Sequence, residues 1–215
     1  MDTPTFDLEL ALHSQGDRFV AGVDEAGRGA WAGPVVAAAV ILPVAAPGPA
    51  LAQRGVRDSK QLTPAAREAL FGVILEAALS VGVGVSAPRV IDRDGILAAT
   101  RRAMHRAVAH LSLPPDYLIL DYVRLASLPL PQYSPARADV QHLSVAAASI
   151  VAKVTRDRLM RVLDRRFPGY GLAQHKGYGT PAHRAALYCL GPTPIHRMSF
   201  APLHRFSADA PLEPR

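Results

Sequence analysis

With 215 residues, 49% of them hydrophobic, the chain is long enough to bury a sizeable core without disulfide staples. Its one cysteine, Cys189, excludes an intramolecular bridge and a thiolate zinc site, and fits a reducing cytoplasm. Lys and Arg outnumber Asp and Glu by 24 to 18, a net charge of +6, which suits an anionic partner such as nucleic acid without establishing one.

Met1-Asp2-Thr3-Pro4 lacks the basic start and apolar run of an export signal. The longest apolar stretch, Pro34 to Ala46, carries two prolines and falls short of the roughly 20 residues of a spanning helix, so no membrane association is expected. Phe19 to Val23 reads as a strand ending at Asp24, and Pro34 to Leu42 as a second, valine-rich one. The connection between them is short, which predicts antiparallel pairing. After a Pro/Ala/Gly loop (Pro43 to Gly55), Thr63-Pro64 is a cap and first helical position for a helix over Ala65 to Leu79.

Val81 to Val85 suggests another strand. Gly95 to Leu111 is amphipathic, with Arg101, Arg102, His105 and Arg106 opposite Ile96, Ala103, Ala107 and Leu111, and Pro114-Pro115 ends it. Tyr117 to Leu120 is a compact apolar run, as a central strand would be, ending in Asp121. A proline-rich loop follows, closed by Asp139. Ser144 to Phe167 is the longest helix, stopped by Pro168-Gly169, and Pro181 to Leu190 forms one more. Strands alternating with helices predict an α/β fold with a central sheet.

The chemistry concentrates at strand ends. Asp24-Glu25-Ala26-Gly27-Arg28-Gly29 puts two carboxylates before a glycine turn; the same pattern also suits a simple capped turn with positive φ. Asp121 ends another apolar run, and Asp139 lies 18 residues further on. Each taken singly reads as a solvated strand end or a helix-dipole partner. If the strands are neighbours the acids converge, and clustered carboxylates without His or Cys suit Mg²⁺ or Mn²⁺ rather than zinc. Two such cations in line with a phosphodiester would support hydrolysis without a covalent intermediate.

Gly27-Arg28-Gly29 would let backbone groups approach a sugar-phosphate and its 2′-hydroxyl. Further basic or small polar groups stand at Asp58-Ser59-Lys60, at Lys153 with Arg156, and around Lys176. Tyr178, flanked by glycines, offers a face for stacking on a sugar or base, or a cover for a loop against the core. Asp157 lies deep in the longest helix between two arginines and is assigned an ion-pair role.

These residues fall into motifs of one known family. GVDEAGRGAWAGPVVAAAVIL (Gly22 to Leu42), RDSKQLTPAARE (Arg57 to Glu68), LILD (Leu118 to Asp121), SVAAASIVAKVTRDRLM (Ser144 to Met160), HKGYGTPAH (His175 to His183) and HRMSFAPL (His196 to Leu203) occur in order. Over Phe19 to Phe206 the chain resembles bacterial ribonuclease HII. The resemblance implies an RNase-H-like α/β fold, a central mixed sheet flanked by helices, with a helical C-terminal part. It implies an endonuclease that hydrolyses the RNA strand of RNA-DNA hybrids and nicks 5′ of ribonucleotides embedded in duplex DNA, leaving 3′-hydroxyl and 5′-phosphate ends.

By the same resemblance, Asp24, Glu25, Asp121 and Asp139 hold two Mg²⁺ or Mn²⁺ ions. Gly27, Arg28 and Gly29 read the 2′-hydroxyl, Tyr178 meets the adjacent sugar, and Ser59, Lys60 and Lys176 contact the substrate backbone. Residues 1–206 are expected to form one catalytic domain, acting as a cytoplasmic monomer in ribonucleotide removal and primer processing, and 207–215 a flexible tail. The stretch before Phe19 leaves no room for the N-terminal domain of the related HIII enzymes, and Ser207 to Arg215 lacks the aromatic motif by which some members bind the sliding clamp. One departure stands out: Tyr122 follows the third acid where the family usually has glycine.

Two other functions compete. A junction-resolving nuclease of the same fold would have no evident use for the glycine turn or Tyr178. A non-catalytic nucleic-acid-binding module would suffer from four acids that repel phosphate, and its affinity would survive chelation.

Overall fold

The computed structural model describes residues 3–45 and 50–206. In chain order the helices and strands are α1 (Asp7–Ser14), β1 (Val20–Ala26), β2 (Val35–Ile41), α2 (Ala50–Gln53), α3 (Pro64–Ala77), β3 (Ser80–Ser86), α4 (Pro88–Asp94), α5 (Ile96–Ala109), β4 (Tyr117–Leu120), β5 (Gln132–Tyr133), α6 (Ala138–Gln141), α7 (Leu143–Arg166), α8 (Leu172–His175) and α9 (Pro181–Leu190), with 3₁₀ turns at Ser59–Gln61 and Ala201–Phe206. Among the described residues no helix is long and apolar enough to cross a membrane.

The strands form one mixed sheet in the order β3-β2-β1-β4-β5. The short turn after β1 makes β1 and β2 antiparallel, and β3 continues that pattern; β4 returns parallel to β1 after the excursion through β2, β3 and α5. Alternation along the strands sends Ala21, Val23, Ala37, Ala39 and Leu120 to one face, against Ala99, Ala103, Met104 and Ala107 of α5. The other face, with Ala38 and Val40, packs under Leu143, Ala146, Ala147 and Ile150 of α7, joined by Leu70 and Ile74 of α3.

The alanine-rich start of α7 lets its backbone lie close on the sheet. A Cβ at Gly22 would stand 2.1 Å from the Ser144 carbonyl carbon, so β1 needs glycine there. The second half of α7 carries a further cluster of Met160, Tyr170, Leu172, Leu187 and Leu203, which holds α8, α9 and the last 3₁₀ turn as the expected helical C-terminal part.

Several expected boundaries shift. α3 stops at Ala77, two residues before the expected end, because Ala78 is extended and leads into β3; its start is as expected, with Thr63 Oγ1 accepting from Ala66 N at 3.2 Å. Five helices were not anticipated, α1, α4 and the four-residue α2, α6 and α8, nor was the two-residue strand β5 in the proline-rich loop. Buried Glu9 of α1 accepts from Ser144 N at 3.0 Å and Ser144 Oγ at 2.6 Å, placing a carboxylate at the start of α7. α4 begins with Pro88 at its first turn and ends at Gly95, whose φ of +82° separates it from α5. Asp139 lies on α6 rather than closing a loop, and Tyr122 adopts φ +61°, the left-handed conformation that the glycine expected there would take without strain. The expected tail and the clamp-motif reading fall on 207–215, outside the described residues.

Candidate active site

β1 carries Asp24 and Glu25 in its last three residues, paired with Ala38 and Ala37 of β2. β4 runs parallel in the register Val23 to Leu120, so Asp121 leaves the sheet beside Asp24, its N–H donating to Val23 O at 3.1 Å. Asp121 Oδ1 then accepts from Ala138 N at 2.9 Å, tying the end of β4 to the start of α6 and to Asp139. Carboxylate oxygens of Asp24, Asp121 and Asp139 consequently lie within 4.8 Å of one another. Convergence of these acids, conditional in the sequence, is met for three of the four.

Glu25 stands beside that trio but outside it. One of its oxygens accepts from Arg28 Nη1 at 3.4 Å, and the other, Oε2, is buried without a hydrogen-bond partner among the described residues. Lys60 Nζ sits 3.2 Å from Asp139 Oδ2 and 3.9 Å from Asp58 Oδ1, on a largely exposed side chain.

The electrostatics follow from crowding. Burial, then the charges of Glu25, Asp121 and Asp139, drive the Asp24 carboxyl well above the usual carboxylate range. Burial pushes Glu25 up to about 6, with Arg28 opposing and Asp121 adding to the rise. Asp139 is raised by burial, against the pull of Lys60. Burial disfavours the Lys60 charge, yet Asp139, Asp58 and Asp24 outweigh it and raise its pKa.

Hard oxygen donors with an excess of buried negative charge, and an unpartnered Glu25 oxygen, fit a divalent cation of the Mg²⁺ or Mn²⁺ kind. Asp24, Asp121 and Asp139 would hold it, with Glu25 able to join by turning from Arg28.

The other residues singled out in the sequence divide into two groups. Gly29 is exposed, and Gly27, at φ +93°, abuts the Arg156 side chain so closely that a Cβ would stand 1.9 Å from Arg156 Nε. Tyr178 is half-exposed, its ring 5.5 Å from the Arg156 guanidinium, its carbonyl accepting from His183 Nδ1 at 3.0 Å. Lys60 is exposed like Gly29 and Tyr178, whereas Gly27 is buried. Ser59, by contrast, is turned inward: its hydroxyl bonds Ser149 Oγ at 2.9 Å and its carbonyl accepts from Arg67 at 2.7 Å. Lys176 is half-buried, its ammonium donating to Ala173 O. Asp157 does form an ion pair, but with Lys153 at 2.7 Å and not with the flanking arginines, because the i,i+4 position faces it on the helix.

Those arginines lead elsewhere. Arg158 pairs with Glu68, and Arg156 is fully buried, donating to Pro34 O at 2.9 Å and Ala32 O at 3.1 Å. Arg197, also fully buried, donates to Gly33 O through Nε and Nη2 and to Arg28 O through Nη1 at 2.8 Å. Arg156 is one of the basic groups noted in the sequence, where an arginine counts as surface, and Arg197 is not singled out there. The signal for Arg197 was its place inside a motif segment.

Residues 21–203 match the family model described as ribonuclease HII. The chain belongs to the ribonuclease HII family. It is similar to the ribonuclease HII of Geobacter metallireducens, 57% identical over 193 residues covering 90% of this chain and 88% of that one. Ribonuclease HII of Roseiflexus castenholzii is 55% identical over 200 residues, covering 93% and 89%. The crystal structure of the ribonuclease H2 from Pyrococcus horikoshii superposes with a TM-score of 0.75 at 29% identity, covering 87% of this chain and 96% of that one. As a ribonuclease HII family member the chain is a metal-dependent endoribonuclease that hydrolyses RNA in RNA-DNA hybrids, and its mixed sheet flanked by helices is the RNase-H-like fold.

Proposed function

We propose that Asp24, Glu25, Asp121 and Asp139 hold two divalent ions, Mg²⁺ or Mn²⁺, and that the enzyme cuts 5′ of ribonucleotides embedded in duplex DNA as well as within RNA tracts, leaving 3′-hydroxyl and 5′-phosphate ends. The observation that carries this reading is the approach of the Asp24, Asp121 and Asp139 carboxylates within 4.8 Å, the first and last of them buried, beside a turn that exposes Gly29. When bound, the ions supply an activated water and neutralise charge on the phosphodiester.

The protein's own part is to orient. Gly27, Arg28 and Gly29 bring backbone groups against the ribose, where a 2′-hydroxyl distinguishes RNA from DNA. Tyr178 offers its exposed ring to the neighbouring sugar. Lys60 and Arg28, each now paired with a site acid, exchange that partner for phosphate when cations occupy the acids. With Ser59 engaged inside the fold and Lys176 held to Ala173 O, Lys60 is the stronger candidate for backbone contact. Residues 1–206 are read as one catalytic unit, acting as a monomer in a reducing cytoplasm that suits the lone Cys189, on hybrids and on duplexes from which ribonucleotides must be removed.

The test is cleavage of an end-labelled DNA duplex containing one ribonucleotide, with Mg²⁺, Mn²⁺ or chelator, mapped to the nucleotide. A metal-dependent nick 5′ of the ribonucleotide with a 3′-hydroxyl is expected. Cutting of long hybrids alone would leave the metal site standing and remove the junction role.

A further inference from the structure

Between β1 and β2 the chain makes a turn whose backbone is gripped from behind by two buried guanidiniums. Arg197 spans it: Nη1 holds Arg28 O at 2.8 Å, Nε and Nη2 hold Gly33 O at 3.0 and 2.8 Å, and Arg197 N donates to Trp31 O at 2.8 Å. Arg156 reaches the far side, at Ala32 O and Pro34 O, and its Nη1 is buried with no partner among the described residues. The segment bearing Tyr178 hangs on the same turn, since Gly177 O accepts from Trp31 N at 2.8 Å and Ala32 N at 3.2 Å.

Two cations this deep, with no carboxylate partner among the described residues, are a costly way to fill space. Apolar side chains of similar volume often stabilise a fold better. What apolar groups cannot do is hold carbonyls at both ends of a turn, and a lysine, with one point charge, cannot hold both either; the planar fork of guanidinium can.

The consequence for the turn is geometric. In a trans peptide the carbonyl and the following N–H point in opposite directions. Fixing Arg28 O inward on Arg197 therefore aims the Gly29 N–H outward, where it has no acceptor among the described residues and where a Cβ at Gly29 would meet nothing within 4 Å.

We infer that Arg197, supported by Arg156, is a positioning residue for ribonucleotide selection: it sets the Arg28–Gly29 peptide plane, and with it which phosphodiester is presented to the acids. The inference rests on the reading of the 27–29 turn as the 2′-hydroxyl reader. Arg197 touches no substrate. It acts through the peptide it holds.

The experiment uses a duplex in which one DNA strand contains four consecutive ribonucleotides, end-labelled, cut in Mg²⁺ and resolved bond by bond for the full chain and for Arg197→Lys, Arg197→Gln and Gly29→Pro. For the unaltered chain, cutting concentrated at one bond is expected. In Arg197→Lys and Arg197→Gln the rate at that bond should fall by about 10²-fold, the scale of a small misplacement at a reacting centre, while neighbouring bonds take a larger share. Loss of folded protein scales every bond equally and leaves the shares unchanged, so the shares are read from whatever fraction folds. Unchanged shares in both Arg197 variants overturn the inference. Gly29→Pro deletes the N–H itself: broadened cutting there with unchanged shares in the Arg197 variants overturns the positioning role alone, whereas unchanged shares in Gly29→Pro bring down the 2′-hydroxyl reading with it.

Discussion

The site brings together two groups of like charge that the fold resolves in opposite ways. Asp24, Asp121 and Asp139 converge with little internal compensation, Lys60 at Asp139 being the one cation paired with them among the described residues, so their mutual repulsion is one a bound cation would relieve. Arg156 and Arg197 are buried more completely, yet between them they hold four backbone carbonyls, and their charge is spread over dipoles the chain itself supplies. The acid cluster leaves its charge largely uncompensated, whereas five of the six guanidinium nitrogens donate to backbone carbonyls, Arg156 Nη1 alone lacking a partner among the described residues. A like-charge cluster thus marks a binding centre when its partners are missing, and a rigid support when they are backbone.

The sharpest break of this contrast comes from removing one charge on each side. Asp121→Asn should lower kcat on the order of 10³-fold, the scale of losing a group that stabilises transition-state charge. Its thermal unfolding in chelator should be unchanged or raised, since a repulsive charge is gone. Near-normal activity would remove Asp121 from the site. Arg197→Ala should do the reverse to stability, costing about 3 kcal/mol in urea unfolding as the carbonyls of Gly33 and Arg28 lose their donor. A cost near zero would show that the arginine side is not held together as described.

A pH series sharpens the acid side. Glu25 is raised from 4.5 to about 6, so its contribution in chelator is fully present below pH 4.5 and is lost as pH rises through about 6. Glu25→Gln should therefore be more stable than the unaltered chain above pH 6, by about 2 kcal/mol, with the advantage vanishing below pH 4.5. Added Mg²⁺ or Mn²⁺ at pH 7.5 should narrow that gap by restoring the unaltered chain. The opposite slope, or a gap indifferent to metal, would contradict the crowding of carboxylates.

Smaller effects follow at the periphery. Tyr178→Ala should reduce cleavage of a single-ribonucleotide duplex about 10-fold, as loss of one stacking partner does, and an RNA tract less; equal loss on both would argue for a role confined to packing. Tyr122→Gly should raise the unfolding midpoint, worth about 1 kcal/mol, by relieving φ +61° on a residue with a Cβ, and an unchanged midpoint would mean the turn carries no strain there.

Strands β1 to β4 and the long helix were legible because apolar periodicity is local: Tyr117 to Leu120 and the alanine run of α7 declare their burial in a few residues, whereas the two-residue β5 lies in what reads as a proline-rich loop. Asp24, Glu25 and Asp121 were legible for the same reason, each ending such a run. α1 was not, since its eight residues are held by Glu9 at the start of a helix 135 residues away. Nor was the inward turn of Ser59, which depends on Ser149, or the choice of Lys153 by Asp157 over its neighbouring arginines.

The sequence by itself determined the family, the strand ends that carry the acids and the glycines that free the turn. Only the tertiary structure decided which oxygens converge and that Arg156 and Arg197 are buried. Their carbonyl partners lie 122 and 169 residues away, at Pro34 and Arg28. Hydrophobic pattern is written along the chain, whereas the partner of a charged side chain is set by where distant segments meet.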